Sequence, residues 1–247
     1  MTPTNRFLSS TVLLFTVSLG TFAQTKVVAK VPAPAQKSQH LAVYEKSKAL
    51  SDAATAITSL SYLLVENPTK YAAYADTLAM VYQNTGNYIQ CANLVNELLK
   101  KEPEKESLLA MKALSLKQLG LSTESADLYN RLYAKTNQYS YGLELVQLQL
   151  GLQRLAECIG TANRLTNQEI PAEAKITVPT VDNQSTQPVG VKAFVHYVEG
   201  LAHNLAKDDA KAKASIQKAI DLEAEFALAK NALATLSKQA EAPAAKE

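Results

Sequence analysis

The sequence predicts an all-α protein in which about four helix pairs stack into a superhelical solenoid, with a C-terminal capping helix and one β-hairpin insertion. Three observations support this fold class. Alanine, leucine, lysine, glutamate and glutamine dominate, tryptophan is absent and glycine numbers only 8, which favours helices over sheets. An apolar helical pattern recurs at a fixed spacing. Only one segment shows the alternation of a strand.

Composition and charge narrow the class of protein. With 247 residues, 47% of them hydrophobic, the chain is long and apolar enough to form a packed core. The formal net charge of +2 gives no electrostatic preference for nucleic acid or for a membrane surface.

The N-terminal segment predicts a secretory signal peptide. Arg6 precedes the apolar run "FLSSTVLLFTVSLG", and the small residues Thr21 and Ala23 flank Phe22. The run is shorter than the roughly 20 apolar residues that a transmembrane helix needs. We therefore expect residues 1–23 to be removed near Ala23 and the protein to be secreted, either periplasmic or extracellular, with no membrane span in the mature chain.

Composition also predicts the boundaries of the folded domain. Residues 24–37, "QTKVVAKVPAPAQK", combine prolines with lysines and predict a flexible linker. We expect the helical repeats to occupy residues 38–240 and residues 241–247 to form a disordered tail.

The first clear repeat unit is the stretch "YAAYADTLAMVYQNTGNYIQCANLVNELLKKEP". Its residue types follow a fixed order of large, small, aromatic, glycine and proline positions. The residues at these positions are Leu78, Ala79, Tyr82, Gly86, Tyr88, Cys91, Val95, Leu98 and Pro103. A shift of 34 residues places Gly86 on Gly120 and Ala79 on Ala113.

This order and period resemble the tetratricopeptide repeat, a family of paired helices named A and B. The resemblance covers residues 38–240 except for one insertion, and it departs from the family pattern at Ala75 and Val95. It implies a superhelix in which each pair buries an apolar stripe against its neighbours. A preceding unit ends at Pro68. Later units contain "LAECIGTANRLTN", whose preceding helix fits less well, and "FVHYVEGLAHNLAKDDAKAKASIQKAIDLEAEF".

Two segments stand outside the repeats. Residues 169–190 alternate around Ile176, Val178 and Val189, which predicts a β-hairpin or ordered flap between the third and fourth units, with a flexible linker as the alternative. The stretch "FALAKNALATLSKQAEAP", beginning at Phe226, predicts an amphipathic helix that caps the last apolar face.

Nothing in the sequence indicates catalysis, a metal site or a cofactor. The chain has 3 histidines. Two of them, His196 and His203, are two helical turns apart, whereas a zinc pair on a helix needs a spacing of about four residues. There is no glycine-rich phosphate loop and no paired cysteine motif, and the carboxylates are scattered along helix faces. We therefore predict a protein that is not an enzyme.

The resemblance implies that function lies in the concave groove of the A helices, where members of the family bind an extended peptide or a partner helix. Projecting the family's groove positions onto this chain gives the following candidates: Leu41, Glu45, Lys48, Asp76, Met80, Gln83, Asn84, Ala110, Met111, Leu114, Lys117, Phe194, Tyr197, Leu201 and Asn204. These residues are mixed in character and not strongly charged. The lysine and asparagine that clamp a partner's carboxylate in some members are replaced by Leu41, Asp76 and Ala110.

We therefore predict a secreted scaffold that binds a protein or peptide. The alternative is a protein that binds a glycan or another small ligand, for which Phe194, Tyr197, Tyr139 and Tyr141 offer stacking rings although tryptophan is absent.

The two cysteines are predicted to remain free. Cys91 and Cys158 occupy the same small position of helix B two units apart, with other helices between them, and a disulfide needs Cα atoms within about 7 Å. We expect two buried thiols that act as small apolar side chains.

Overall fold

The computed structural model describes residues 38–241. The predicted signal peptide, the predicted linker and residues 242–247 lie outside them, while Glu241 ends the last helix. The helices are α1 (Gln39–Ala49), α2 (Ala53–Glu66), α3 (Tyr74–Asn84), α4 (Tyr88–Leu99), α5 (Glu106–Gln118), α6 (Ser122–Thr136), α7 (Tyr139–Gly151), α8 (Leu155–Thr166), α9 (Val191–Leu205), α10 (Asp209–Leu222) and α11 (Ala227–Glu241). The strands are β1 (Lys175–Pro179) and β2 (Thr186–Gly190).

The helices form a solenoid of consecutive pairs, as predicted. Each helix packs against the next one along the chain, from α1 to α11. We call the first helix of each pair A (α1, α3, α5, α7 and α9) and the second B (α2, α4, α6, α8 and α10). Such packing of near neighbours is what paired helices with wide apolar stripes require.

The number of pairs corrects the sequence count. Residues 38–241 contain five pairs and not about four, so the β-hairpin lies between the fourth and fifth pairs. The pair α7/α8 follows the repeat pattern weakly. Gln149 stands where the earlier A helices have Tyr82 and Leu116, and Gln153 stands where the earlier corners have glycine.

The five turns from helix A to helix B share one backbone conformation. The residue at each turn is left-handed: Ser51 (φ 57°), Gly86 (φ 75°), Gly120 (φ 79°), Gln153 (φ 57°) and Lys207 (φ 61°). The amide that follows each of them donates to a carbonyl five residues back, for example Asn87 N to Tyr82 O at 2.8 Å. This arrangement satisfies carbonyls at the end of helix A and sets the angle at which helix B returns.

Small residues allow the helices of a pair to approach closely. Ala79, Ala113, Cys91 and Cys158 are fully buried. Gly200 on α9 is the tightest point, because a Cβ added there would lie 2.4 Å from Ile216 Cγ1.

The insertion is a β-hairpin, as predicted. The strands β1 and β2 pair antiparallel, with Ile176 opposite Val189 and Val178 opposite Gln187. Val178 and Val189 are buried, and both strands contact α9. Pro188 lies within the paired register, opposite Thr177. It is tolerated there because each strand of a two-stranded sheet has one free edge.

The last helix covers the final apolar face, as predicted. Helix α11 packs on α10, and Phe226, Ala229 and Leu236 are buried. Phe226 meets Tyr197 of α9 at 5.1 Å between ring centroids. Among residues 38–241, no helix combines the length and the apolar character that crossing a bilayer requires.

Candidate functional site

The A helices line the inner side of the stack. Successive A helices contact one another at α3–α5 and α7–α9, whereas no comparable contact joins two B helices within residues 38–241. Helices that lie closer together on one side of a solenoid form its concave face. The groove that the sequence predicted is therefore the surface of α1, α3, α5, α7 and α9.

Polar contacts tie neighbouring A helices together across this groove. Asp76 on α3 pairs with Lys105, which immediately precedes α5, at 2.6 Å. Hydrogen bonds from Lys105 to Asp76 and Glu102 raise the pKa of the lysine. Gln83 Nε2 on α3 donates to the carbonyl of Met111 on α5 at 3.1 Å.

The next junction, between α5 and α7, is bridged in the same way. Lys117 on α5 pairs with Glu144 on α7. Glu106 Oε1 accepts hydrogen bonds from Gln138 Nε2 at 2.8 Å and from Tyr141 Oη at 2.9 Å. In the central groove, which is the surface of α3, α5 and α7, these charged groups therefore each have a polar partner on a neighbouring helix or turn.

A cleft opens between the first two A helices. It has a volume of about 270 Å³ and is lined by Tyr44, Ser47, Lys48, Ser51, Asp52, Ala53, Ala56, Thr77, Met80, Val81, Asn84 and Thr85. No hydrogen bond joins α1 to α3 within the described part of the chain. One contact between them is the edge-to-face pair Tyr44–Tyr74, at 5.8 Å between ring centroids.

The structure brings together three of the predicted groove residues in this cleft: Lys48, Met80 and Asn84. Met80 is 45% exposed, so much of this apolar side chain faces solvent. Glu45 is exposed on the same helix as Lys48, while Leu41 packs partly into the apolar cluster of the first two pairs.

The other predicted residues are more enclosed. Half-buried positions are Asp76, Gln83, Ala110, Met111, Leu114, Lys117, Tyr197, Leu201 and Asn204. Phe194 is buried, because α7, α8 and the hairpin all pack against α9. The α9 end of the groove therefore exposes less of its side chains than the cleft does at Met80 and Asn84.

The sequence interpretation assigned no groove residues to α7. The matching positions are Leu143, Glu144, Gln147 and Leu150, all half-buried. Aligning the corner residue Gln153 with Gly120 would have found them, but glutamine gives no signal of a left-handed turn.

The aromatic rings that a sugar site would use are buried or make contacts within the protein. Phe194 is buried and Tyr197 packs edge-to-face on Phe226. Tyr141 donates its hydroxyl to Glu106, and burial raises the pKa of Tyr141 to about 12. Tyr139 packs against the main apolar cluster.

A buried polar cluster lies on α9. His196 Nδ1 is 3.1 Å from Glu199 Oε2, and Glu199 and His203 are both buried. Burial raises the pKa of Glu199, but hydrogen bonds from His196 and Ser215 and the nearby imidazoles together bring it below its usual value. Within residues 38–241, no three histidine, cysteine or acidic side chains group in a way that suits a metal ion.

Both cysteines are free and buried in the structure, as predicted. Burial raises the pKa of Cys158 to about 12 and also raises that of Cys91. Cys158 Sγ donates to the carbonyl of Val146 at 3.5 Å, and Ser125, at the matching position, donates to Ala113 O at 2.8 Å. The thiol therefore helps to join helices B and A.

Comparison with known proteins supports the fold. No protein-family model and no curated protein matches the sequence. Among solved structures, YrrB, described as a TPR protein with an unusual peptide-binding site, superposes with a TM-score of 0.60 at 16% identity, over 78% of this chain and 89% of that one. A MamA crystal structure gives 0.59 at 12% identity, over 84% and 96%.

A second MamA structure, from Desulfovibrio magneticus RS-1, gives a TM-score of 0.56 at 15% identity, over 69% of this chain and 85% of that one. These likenesses establish a tetratricopeptide-type fold.

Proposed function

We propose that the protein is a non-enzymatic helical-repeat scaffold that binds a segment of another protein in the groove of its A helices. The observation that carries this proposal is the open cleft between α1 and α3, where exposed Met80 lies beside Lys48 and Asn84. The peptide-binding site named for YrrB, which shares the fold, supports the same use of the surface.

The polar clusters favour a structural role over a catalytic one. The most enclosed one, His196 with Glu199, lies on a helix that packs against α7, α8 and α10. A buried carboxylate needs such partners simply to remain charged in the core. We propose that this cluster holds the fifth pair together.

We also propose that the protein is secreted after cleavage near Ala23. The apolar run that follows Arg6 and the small residues Thr21 and Ala23 support this location. Sequencing the N-terminus of protein purified from fractionated cells tests it. A mature chain beginning near Gln24 is expected, and a cytoplasmic chain that retains residues 1–23 would contradict the proposal.

Site-specific photo-crosslinking in the native cell tests the groove. A photoreactive amino acid replaces Asn84, which lines the cleft, or Asn130, which is exposed on the B helix α6 and serves as the matched control. We expect protein adducts from position 84 and none of the same mass from position 130. No adduct at 84, or equal adducts at both positions, would rule out binding in the groove.

A further inference from the structure

Most charged side chains of the central groove form ion pairs with one another. Asp76 pairs with Lys105 at 2.6 Å, and Lys117 pairs with Glu144. The four side chains carry two positive and two negative charges, so these two pairs present no net charge to a partner. The Glu106 carboxylate between them is held by two hydrogen bonds from neutral groups. A charged partner residue placed over it would lose hydration and gain little Coulomb energy in return.

The cleft between α1 and α3 has a mostly apolar lining, and the buried hydroxyl of Ser47 is already hydrogen-bonded to the carbonyl of Tyr44. Tyr44, Ala56 and Val81 line it together with the exposed side chain of Met80. Its volume of about 270 Å³ lies below the roughly 300–1,000 Å³ of sites that hold whole drug-sized ligands. An apolar side chain of a bound segment suits a cleft of this size and lining.

The α1–α3 junction lacks the polar bridges that join α3 to α5 and α5 to α7 in the described residues. Gln83 bridges α3 to α5, and Lys117 bridges α5 to α7. At the α1–α3 junction no such bridge exists in the described residues, so the space between the helices remains open. Exposed Lys48 and Asn84 lie at this opening and offer polar contacts to a partner's backbone.

We propose that the partner is an uncharged, largely apolar peptide segment that inserts one apolar side chain into the cleft between α1 and α3. This inference rests on the proposed function and names the class of segment that the groove selects. Binding comes from apolar burial and from hydrogen bonds to the segment's backbone, and ion pairs with the partner contribute little.

Selection from a random-peptide phage library tests the proposal on the full chain. We expect the enriched peptides to have almost no net charge and to share at least one large apolar residue. Enrichment of acidic or basic peptides would overturn the inference while leaving the proposed function intact. Failure to enrich any peptide would contradict both the proposed function and the inference.

The affinity of a selected peptide then locates the site. Met80→Gln is expected to weaken binding about tenfold, because the substitution removes apolar area from the cleft. Ile89→Gln is the matched control, since Ile89 is an exposed apolar residue on α4 outside the groove and its loss should leave affinity unchanged. Equal affinities of the Met80→Gln variant and the native protein would overturn the proposal.

Two measurements on the native protein test the neutral character of the interaction. Raising NaCl from about 50 mM to about 500 mM is expected to change the dissociation constant by less than about twofold. The peptide with an amidated C-terminus should bind as tightly as the peptide with a free carboxylate. A tenfold loss in either comparison would show that ion pairing, and not apolar burial, selects the partner.

Discussion

The close contact between α9 and α10 at Gly200 gives the sharpest test of the packing. A Cβ at this position would lie 2.4 Å from Ile216 Cγ1 and 3.0 Å from the backbone oxygen of Ala212. The isoleucine side chain can shift, but the carbonyl belongs to α10, so the helices must move apart. We therefore expect Gly200→Ala to destabilise the protein, although alanine is the better helix former.

The magnitude follows from two opposing effects. Overpacking a core costs about 1–3 kcal/mol, and replacing glycine by alanine inside a helix returns about 0.5–1 kcal/mol. The net loss at Gly200 is then between about 0 and about 2.5 kcal/mol, with a midpoint of about 1 kcal/mol. At Gly160 on α8 an added Cβ meets nothing within 4 Å, so Gly160→Ala should stabilise the protein by about 0.5–1 kcal/mol.

Urea denaturation followed by circular dichroism measures both variants beside the native protein. The expected order of unfolding free energy is Gly160→Ala highest, the native protein next and Gly200→Ala lowest. If the Gly200→Ala variant were as stable as the Gly160→Ala variant, the close approach of α9 and α10 would be refuted.

Three further results are expected. Lys207 is left-handed with φ 61°, so Lys207→Gly should raise the unfolding free energy by about 0.5–1 kcal/mol in urea denaturation, and a loss of stability would contradict the corner conformation. Because the folded structure lowers the pKa of Glu199, its carboxylate stabilises the fold at pH values above its ordinary pKa of 4.5. This contribution is lost as the pH falls through the lowered pKa. Between about pH 6 and about pH 3 the Glu199→Gln variant should therefore lose less unfolding free energy than the native protein, and equal losses would exclude the pair with His196. Mass spectrometry after alkylation of the unfolded, unreduced protein should find two modified thiols, Cys91 and Cys158, while the folded protein resists alkylation. A bridge between them would contradict the repeat register.

The repeats could be predicted from sequence at positions where the backbone or the packing requires one particular type of residue. Gly86 and Gly120 mark left-handed corners that glycine adopts without strain. Ala79 and Gly200 mark points where helices approach closely, and Phe226 marks the start of a cap that must cover an apolar face. Each of these signals depends on local backbone or on a contact between helices that are neighbours in sequence.

The corners of the fourth and fifth pairs could not be predicted, because tertiary packing overrides local preference there. Gln153 and Lys207 take the left-handed corner conformation without being glycine, at a cost of about 1–2 kcal/mol each that the packed helices on either side offset. The fourth pair therefore carried no corner signal.

The groove could be predicted in outline but not in detail. Its helices follow from the repeat pattern, yet the cleft depends on the distance between α1 and α3, which no local pattern encodes. Lys105 precedes α5 and lay outside the projected positions, although it pairs with Asp76. Phe194 lay within those positions, but the packing of α9 against α8 and the hairpin buries it.

Methionine methyl NMR tests the central claim most directly. The chain has 3 methionines, and two of them, Met80 and Met111, are predicted groove residues on α3 and α5. Titrating protein labelled at the methionine methyls with a phage-selected peptide should shift the Met80 resonance strongly and that of Met111 less, because Met80 lines the open cleft and Met111 is half-buried. Binding that leaves both resonances unmoved would show that the partner does not occupy the groove.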